Sequence, residues 1–283
     1  MTNERKAIGF MFMATLLFAT MNILVKYLDE IPVSQIVFMR SVVMMVLVAF
    51  LVYRKKINPL GTNRKLLILR GLFGTVGIAL FFYTLHNMPL ATAVVVHYLT
   101  PIFTVLISVI ITRVNIKPIQ WLFFIICFIG VLVVKGFDPR VETGPLVIGV
   151  LGTVGAALAY NIIGFLKETE HHLVIMFYFP FVTIPLVSIY ILITGEWVWT
   201  NTINWTMLTI IGVLTYFAQY FLTRAYQIGN VSKVSVMSYL GIFYALFFGY
   251  AFFNEWYSAV VILGLLLVVV GVVGNILTRT KST

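Results

Sequence analysis

The chain has 283 residues and a single cysteine, Cys127, set in an apolar run. Disulfide frameworks and thiolate metal sites are therefore excluded. Charge is scarce: Asp, Glu, Lys and Arg together make up 10% of the residues, and nine of them are acidic. The four histidines show no HExxH spacing, and the adjacent His171 and His172 would point about 100° apart on a helix, so no metal site is expected. Gly71, Gly74 and Gly77 come without a phosphate-loop lysine and no strand precedes them, which excludes nucleotide hydrolysis as an energy source. No cofactor is implied. No linker long enough to separate soluble domains occurs, and no small-x-small cleavage site follows the first apolar run, which is expected to be retained.

What fills the chain is hydrophobic: 61% of residues, with a mean hydropathy of +1.05. That leaves too little polar surface to cover a soluble globule, so the chain reads as an all-α integral membrane protein whose first partner is the lipid bilayer. A formal net charge of +10 fits basic residues gathered on one side of a membrane, and no soluble domain exists to present a nucleic-acid patch. Crossing the hydrocarbon takes about 20 apolar residues. Ten such runs are found: Ile8–Lys26, Pro32–Tyr53, Leu66–His86, Leu90–Thr112, Pro118–Lys135, Pro145–Lys167, Leu173–Thr194, Ile203–Gln227, Lys233–Phe253 and Ser258–Leu277. Pro32, Pro59, Pro89, Pro118, Pro145 and Gly195 fall in turns or at first helical positions. With the N-terminus inside, most Lys and Arg, Arg70 among them, lie at inner ends, and only Lys26, Arg40, Lys135 and Arg140 lie towards the other side. This places both termini in the cytoplasm. Short turns and a basic inner side suit a bacterial inner membrane.

The stretch Met88–Arg113 recurs 141 residues later as Gly229–Asn254, with Tyr98 matching Tyr239 and His97 matching Ser238. Lys26 with Lys167, Gly71 with Gly212 and Gly130 with Gly271 keep the same ungapped register. Turn charges invert: Arg54, Lys55 and Lys56 become Gly195, Glu196 and Trp197. Five spans is an odd number, so a second copy enters the membrane upside down. The expected architecture is two inverted five-helix repeats, residues 1–141 and 142–283, as in secondary transporters.

Leu69-Arg70-Gly71-Leu72, Phe82-Tyr83-Thr84-Leu85 and Met88-Pro89-Leu90-Ala91-Thr92-Ala93 through Pro101-Ile102-Phe103-Thr104 resemble the drug/metabolite transporter superfamily, and within it the ten-span EamA-type permeases. Arg40 early in span two and Asn254-Glu255 before a glycine-rich last span are similar to that family as well. The resemblance covers essentially the whole chain. It implies a central cavity lined by spans one to four and six to nine, with five and ten peripheral, and a homodimer as an assembly open to it. Where many members carry Gly-Glu after span four, this chain reads Arg113-Val114-Asn115, so no role for that glutamate carries over to the first half. Members move amino acids, drugs, or metabolites such as S-adenosylmethionine and riboflavin, in either direction.

Several polar residues fall inside the spans. Arg40 lies about 12 Å down span two, where it either receives a substrate carboxylate or phosphate or caps carbonyls of a neighbouring helix. His97 shares a polar stripe with Ala93, Thr100, Pro101, Thr104 and Ser108. It either titrates or binds substrate during a cycle, or is a neutral histidine bonded to backbone or tyrosine. Pro101 removes one backbone bond and makes a hinge or a static kink. Asn22, Asn161 and Gln219 offer amides to a cavity, though asparagine in a span also simply ties helices. Tyr98, Tyr160 and Tyr239 offer aromatic faces. Lys26 and Lys167, at span ends, read as snorkelling.

The function expected is alternating-access transport of a small organic metabolite. The rivals are a membrane scaffold without transport and a lipid-modifying enzyme, and the latter lacks the paired acids or histidine-acid pair it needs. With no midplane carboxylate, facilitated diffusion, exchange or coupling through His97 remain as energetics.

Overall fold

The computed structural model describes residues 3–112, 117–166, 169–228, 237 and 239–278, and its described secondary structure is helical throughout. Among the described residues eleven helices are delimited: α1 Asn3–Tyr27, α2 Val33–Arg54, α3 Arg64–Asn87, α4 Leu90–His97, α5 Thr100–Thr112, α6 Pro118–Phe137, α7 Thr143–Leu166, α8 His172–Thr194, α9 Thr202–Ile228, α10 Leu240–Phe253 and α11 Ala259–Thr278. Among the described residues nine segments are long and apolar enough to cross a membrane, α4 and the start of α5 counting as one. The 14-residue α10 is the delimited helix of span nine, whose expected start at Lys233 lies outside the described residues, as do Lys167 and Ser238.

Turn chemistry accounts for the boundaries. Pro32 and Pro89 sit at N-cap positions and Pro118 opens α6, where a missing N–H costs nothing. The Asn63 side chain accepts from the Leu66 amide to cap α3, and His171 Nδ1 accepts from the Leu173 amide to cap α8. Gly195 closes α8 at φ +70°, in the left-handed region that glycine enters without penalty.

The fold is an all-α membrane bundle of two inverted five-helix repeats, and the packing shows the exchange directly. α3 packs on α7 and α9 on α1, each pair the 141-residue image of the other. A side chain at Gly71 of α3 would strike Val182 of α8, and one at Gly212 of α9 would strike Val43 of α2. Residues at the same repeat position meet: Cys127 Sγ of α6 lies 3.5 Å from the Val268 carbonyl of α11, and the Tyr98 and Tyr239 rings are 4.9 Å apart. The glycines in α6 and α11 bring these two helices into backbone contact, Gly130 facing the Gly264 carbonyl.

Span four departs from the continuous helix expected. It breaks at Tyr98 and Leu99, between α4 and α5. Proline at position 101 has no N–H for the His97 carbonyl, and that carbonyl instead accepts the Thr100 hydroxyl at 2.6 Å. Along the polar stripe Ala93 and Thr100 are buried while His97, Pro101, Thr104 and Ser108 are half-buried, and the Thr104 hydroxyl donates to the Thr100 carbonyl at 2.8 Å. Hydroxyls in a span satisfy their own backbone first.

Candidate functional site: a buried arginine pair

The two ends of the bundle differ in composition. One carries Trp197, Trp199, Trp205 and Trp256; the other, the basic end, carries Arg54, Lys55, Lys56, Arg64 and Lys65. Of the acidic residues with described positions, Glu4 lies in the first turn of α1, and Asp29, Glu30, Asp138, Glu142, Glu170, Glu196 and Glu255 all lie in turns. The membrane-spanning interior is thus without described carboxylates.

Into that interior α2 and α3 each place an arginine. Arg40 is 2% exposed and Arg70 8%. Arg40 Nε donates to the Thr215 hydroxyl of α9 at 2.9 Å, and that hydroxyl turns its own proton to Met21 Sδ of α1. Both guanidiniums face one ring, that of Phe179 on α8: Arg70 Cζ is 4.5 Å and Arg40 Cζ 5.4 Å from its centroid, while Arg40 is also 5.7 Å from Phe82. Arg40 Nη1 and Arg70 Nε and Nη1 have no acceptor. The ionisable groups that face the pair are each other and the Tyr160 phenol of α7. Guanidinium cannot shed its proton to escape burial, and a ring face returns only about 0.5–2 kcal/mol. A charge at this depth costs about 2.5–3.5 kcal/mol on insertion scales. The pair is an uncompensated positive site.

The unpaired nitrogens are themselves enclosed by protein, and the accessible surface nearby is on α7. On α7 the outward residues are Val147, Leu151 and Phe165, and Tyr160, nine residues after Leu151, lies half a turn away on the inner face. Yet 45% of Tyr160 is exposed, and a side chain on Gly164, one turn nearer the basic end, would meet nothing. The inner face of α7 is therefore accessible at Tyr160 and Gly164, towards the basic end. On α3, Arg70, Gly74, Gly77 and Phe81 share a face, where Gly74 admits the Phe179 ring and Gly77 admits the α7 backbone at Ala156. Below it a hydroxyl pair, Thr75 and Thr183 at 2.7 Å, joins α3 to α8.

The other residues singled out from sequence are distributed around this centre. His97 stacks on Phe81 with ring centroids 4.1 Å apart. Gln219 lies one turn from Thr215 on the same face of α9. Asn22 is 8% exposed, with Oδ1 lacking a partner. Asn161 donates to the Thr104 and Ala157 carbonyls at 3.1 and 3.0 Å, tying α7 to α5. Tyr98 and Tyr239 meet at the break in span four, and Pro101 stands just beyond it. Arg70 is the residue that sequence reasoning misplaced: it was counted with the charges of an inner helix end, and it lies inside with Arg40. Its common face with Gly74, Gly77 and Phe81 was the available signal.

The tryptophan end is sealed. Lys26 pairs with Glu255 at 2.9 Å and donates to the Met88 carbonyl at 2.6 Å. Glu255 also accepts the Leu90 amide at 2.8 and 2.9 Å, and the Tyr257 hydroxyl donates to it. Burial, then the neighbouring Glu255 carboxylate, hold the Tyr257 phenol above its ordinary value, so it stays a donor. Gln35 and Val198 exchange two hydrogen bonds, at 2.9 and 3.0 Å, across the repeats at this end. Lys26 is not a snorkelling lysine; it is held inside a network.

Comparison with known proteins agrees with this architecture. The EamA-like transporter family matches residues 5–136 and 143–277, nearly the whole chain in two blocks. The chain belongs to the EamA-like transporter family, a group of drug/metabolite transporters. It is similar to the pseudopaline exporter CntI of Pseudomonas aeruginosa, with 31% identity over 95% of each chain. The S-adenosylmethionine uptake transporter of Rickettsia prowazekii is 27% identical over 84% of this chain and 80% of its own. A solved crystal structure superposes with a TM-score of 0.67 at 18% identity over 96% of both chains, a likeness of fold alone. The protein is a membrane transporter and not an enzyme.

Proposed function

We propose that the protein is a secondary transporter carrying a small organic metabolite with an anionic group across a bacterial inner membrane by alternating access. The observation that carries this reading is the Arg40 and Arg70 pair, buried with three guanidinium nitrogens unpaired, with the half-exposed Tyr160 facing it. A buried cation with unspent donors lowers its free energy by taking up an acceptor, and a carboxylate offers the strongest. Gln219, His97 and Asn22 supply polar contacts around that anchor.

With both termini and the basic end in the cytoplasm, the sealed tryptophan end faces out and the described arrangement is inward-facing. Switching then means breaking the Lys26, Glu255, Gln35 and Val198 contacts at one end and closing Tyr160 and its neighbours at the other. The break at Tyr98 and Leu99 gives span four a place to bend during that exchange. One relative is named as an exporter and another for uptake, so direction belongs to the energetics of each protein and not to the fold.

The test is a thermal-stability screen of the purified chain against amino acids, nucleosides, S-adenosylmethionine, flavins and organic anions, beside Arg40→Ala and His97→Ala. A ligand of the folded state raises the midpoint by mass action. The expected hits are anionic and disappear in Arg40→Ala. Hits confined to neutral solutes and unchanged in Arg40→Ala contradict the reading.

A further inference from the structure

We infer that the substrate carries two negative charges, specifically two carboxylates, one for Arg40 and one for Arg70; this rests on the transporter reading above and narrows its substrate class. Both guanidiniums lie against the Phe179 ring, at 5.4 and 4.5 Å, so the two charges are at most 9.9 Å apart through that centroid. No carboxylate of the described residues faces either of them, and among the described residues the charge that faces Arg40 is that of Arg70. A monoanion leaves one positive charge behind, in a place where nothing else answers it. A dianion cancels both and ends their mutual repulsion.

The donors divide in the same way. Arg40 has spent Nε on Thr215 and keeps Nη1 free, whereas Arg70 keeps both Nε and Nη1 free. The two edges of the guanidinium fork are Nε with Nη2 and Nη1 with Nη2, so the free Nε and Nη1 of Arg70 lie on different edges and point in different directions. Arg70 therefore keeps a free donor on each edge of its fork and Arg40 keeps one, so each guanidinium has a donor left for a carboxylate. Between them the Phe179 face suits the methylene chain joining the two groups, which needs apolar contact and offers no donors. Tyr160, on the open side, closes over that chain.

The experiment uses the purified full-length protein and titration calorimetry with defined probes. These are propionate, succinate, glutarate and adipate, the half-amide of glutarate, and glycerol phosphate as a dianion with both charges on one group. The wild type is expected to bind one of the dicarboxylates at least about tenfold more tightly than glutarate half-amide or propionate. Arg70→Gln is expected to erase that preference, so that dicarboxylates bind no more tightly than monocarboxylates, and Arg70→Lys to keep part of it. Because Arg70→Gln could report a fold defect, its melting midpoint is measured alongside. Equal affinity for mono- and dicarboxylates, both lost in Arg40→Gln, overturns the dianion and leaves the transporter reading in place. Tighter binding of glycerol phosphate than of any dicarboxylate overturns the two-carboxylate form. No binding of any anion, with unchanged solute counterflow in Arg40→Gln liposomes, overturns both.

Discussion

At the tryptophan end Lys26 is closed between the Met88 carbonyl and Glu255, and Glu255 in turn holds the first amide of α4 and the Tyr257 hydroxyl. Deeper in the bundle Arg40 and Arg70 share one aromatic ring, and Arg40 alone has a hydroxyl acceptor, with donors left over on both. Both places bury basic side chains, but only the first supplies its own anion. A paired charge makes structure; an unpaired one has its partner still to come. The contrast separates residues that hold the helices together from residues that wait on a ligand, and substitutions at the two places should move stability in opposite directions.

The largest effect is expected at Glu255. Glu255→Gln leaves the Lys26 ammonium buried without its counter-ion and weakens the cap on α4, and should cost about 3–5 kcal/mol. Thermal unfolding in detergent reads this as a lower midpoint, and adding Lys26→Met should recover part of the loss. Arg70→Met is expected to do the reverse: stability unchanged or raised by up to about 3 kcal/mol in the absence of solute. Arg70→Met as damaging as Glu255→Gln would mean that the pair is structural and would erase the contrast.

Smaller changes sharpen the same division. Thr75→Val removes the hydroxyl that meets Thr183 and should cost about 1 kcal/mol, read from the unfolding midpoint, since the hydroxyl left behind still bonds the Phe179 carbonyl. The least effect is at the basic end, where Glu170 accepts from the Thr62 amide and hydroxyl, each at 2.7 Å, and from the Asn63 amide. Burial raises the Glu170 carboxyl, but these bonds outweigh it and hold the group below its ordinary value of 4.5. The folded state thus favours the ionised form. Its contribution is fully present above the ordinary value and is lost as pH falls through the lowered one. Glu170→Gln should flatten the acid side of a plot of melting midpoint against pH and leave the neutral side nearly unchanged.

How legible this was in the sequence varied by residue. The spans were readable because apolar length is set by bilayer thickness, and the inverted repeat because Tyr98 and Tyr239, or Gly71 and Gly212, keep one register while turn charges swap sign. Arg40 was readable as a buried charge because it stands alone in span two. Arg70 was not, because it follows Arg64 and Lys65 closely, and counting charges near helix ends cannot tell a side chain that reaches out from one that reaches in. The Lys26 and Glu255 pair was hidden for another reason: the partners lie at opposite ends of the chain, and a lysine near a span end is ordinarily solvated. The break in span four was foreshadowed by Pro101 but falls ahead of it at Tyr98 and Leu99, because a proline withdraws the bond of the residue four places earlier.

The most direct measurement is counterflow of a labelled dicarboxylate into proteoliposomes carrying either the wild type or the double variant Arg40→Met, Arg70→Met, with the melting midpoint of each preparation recorded beside it. The account predicts saturable counterflow by the wild type, none above protein-free liposomes for the double variant, and a midpoint for the variant no lower than that of the wild type. A double variant that carries the solute at the wild-type rate, or whose midpoint falls by many degrees, would contradict it.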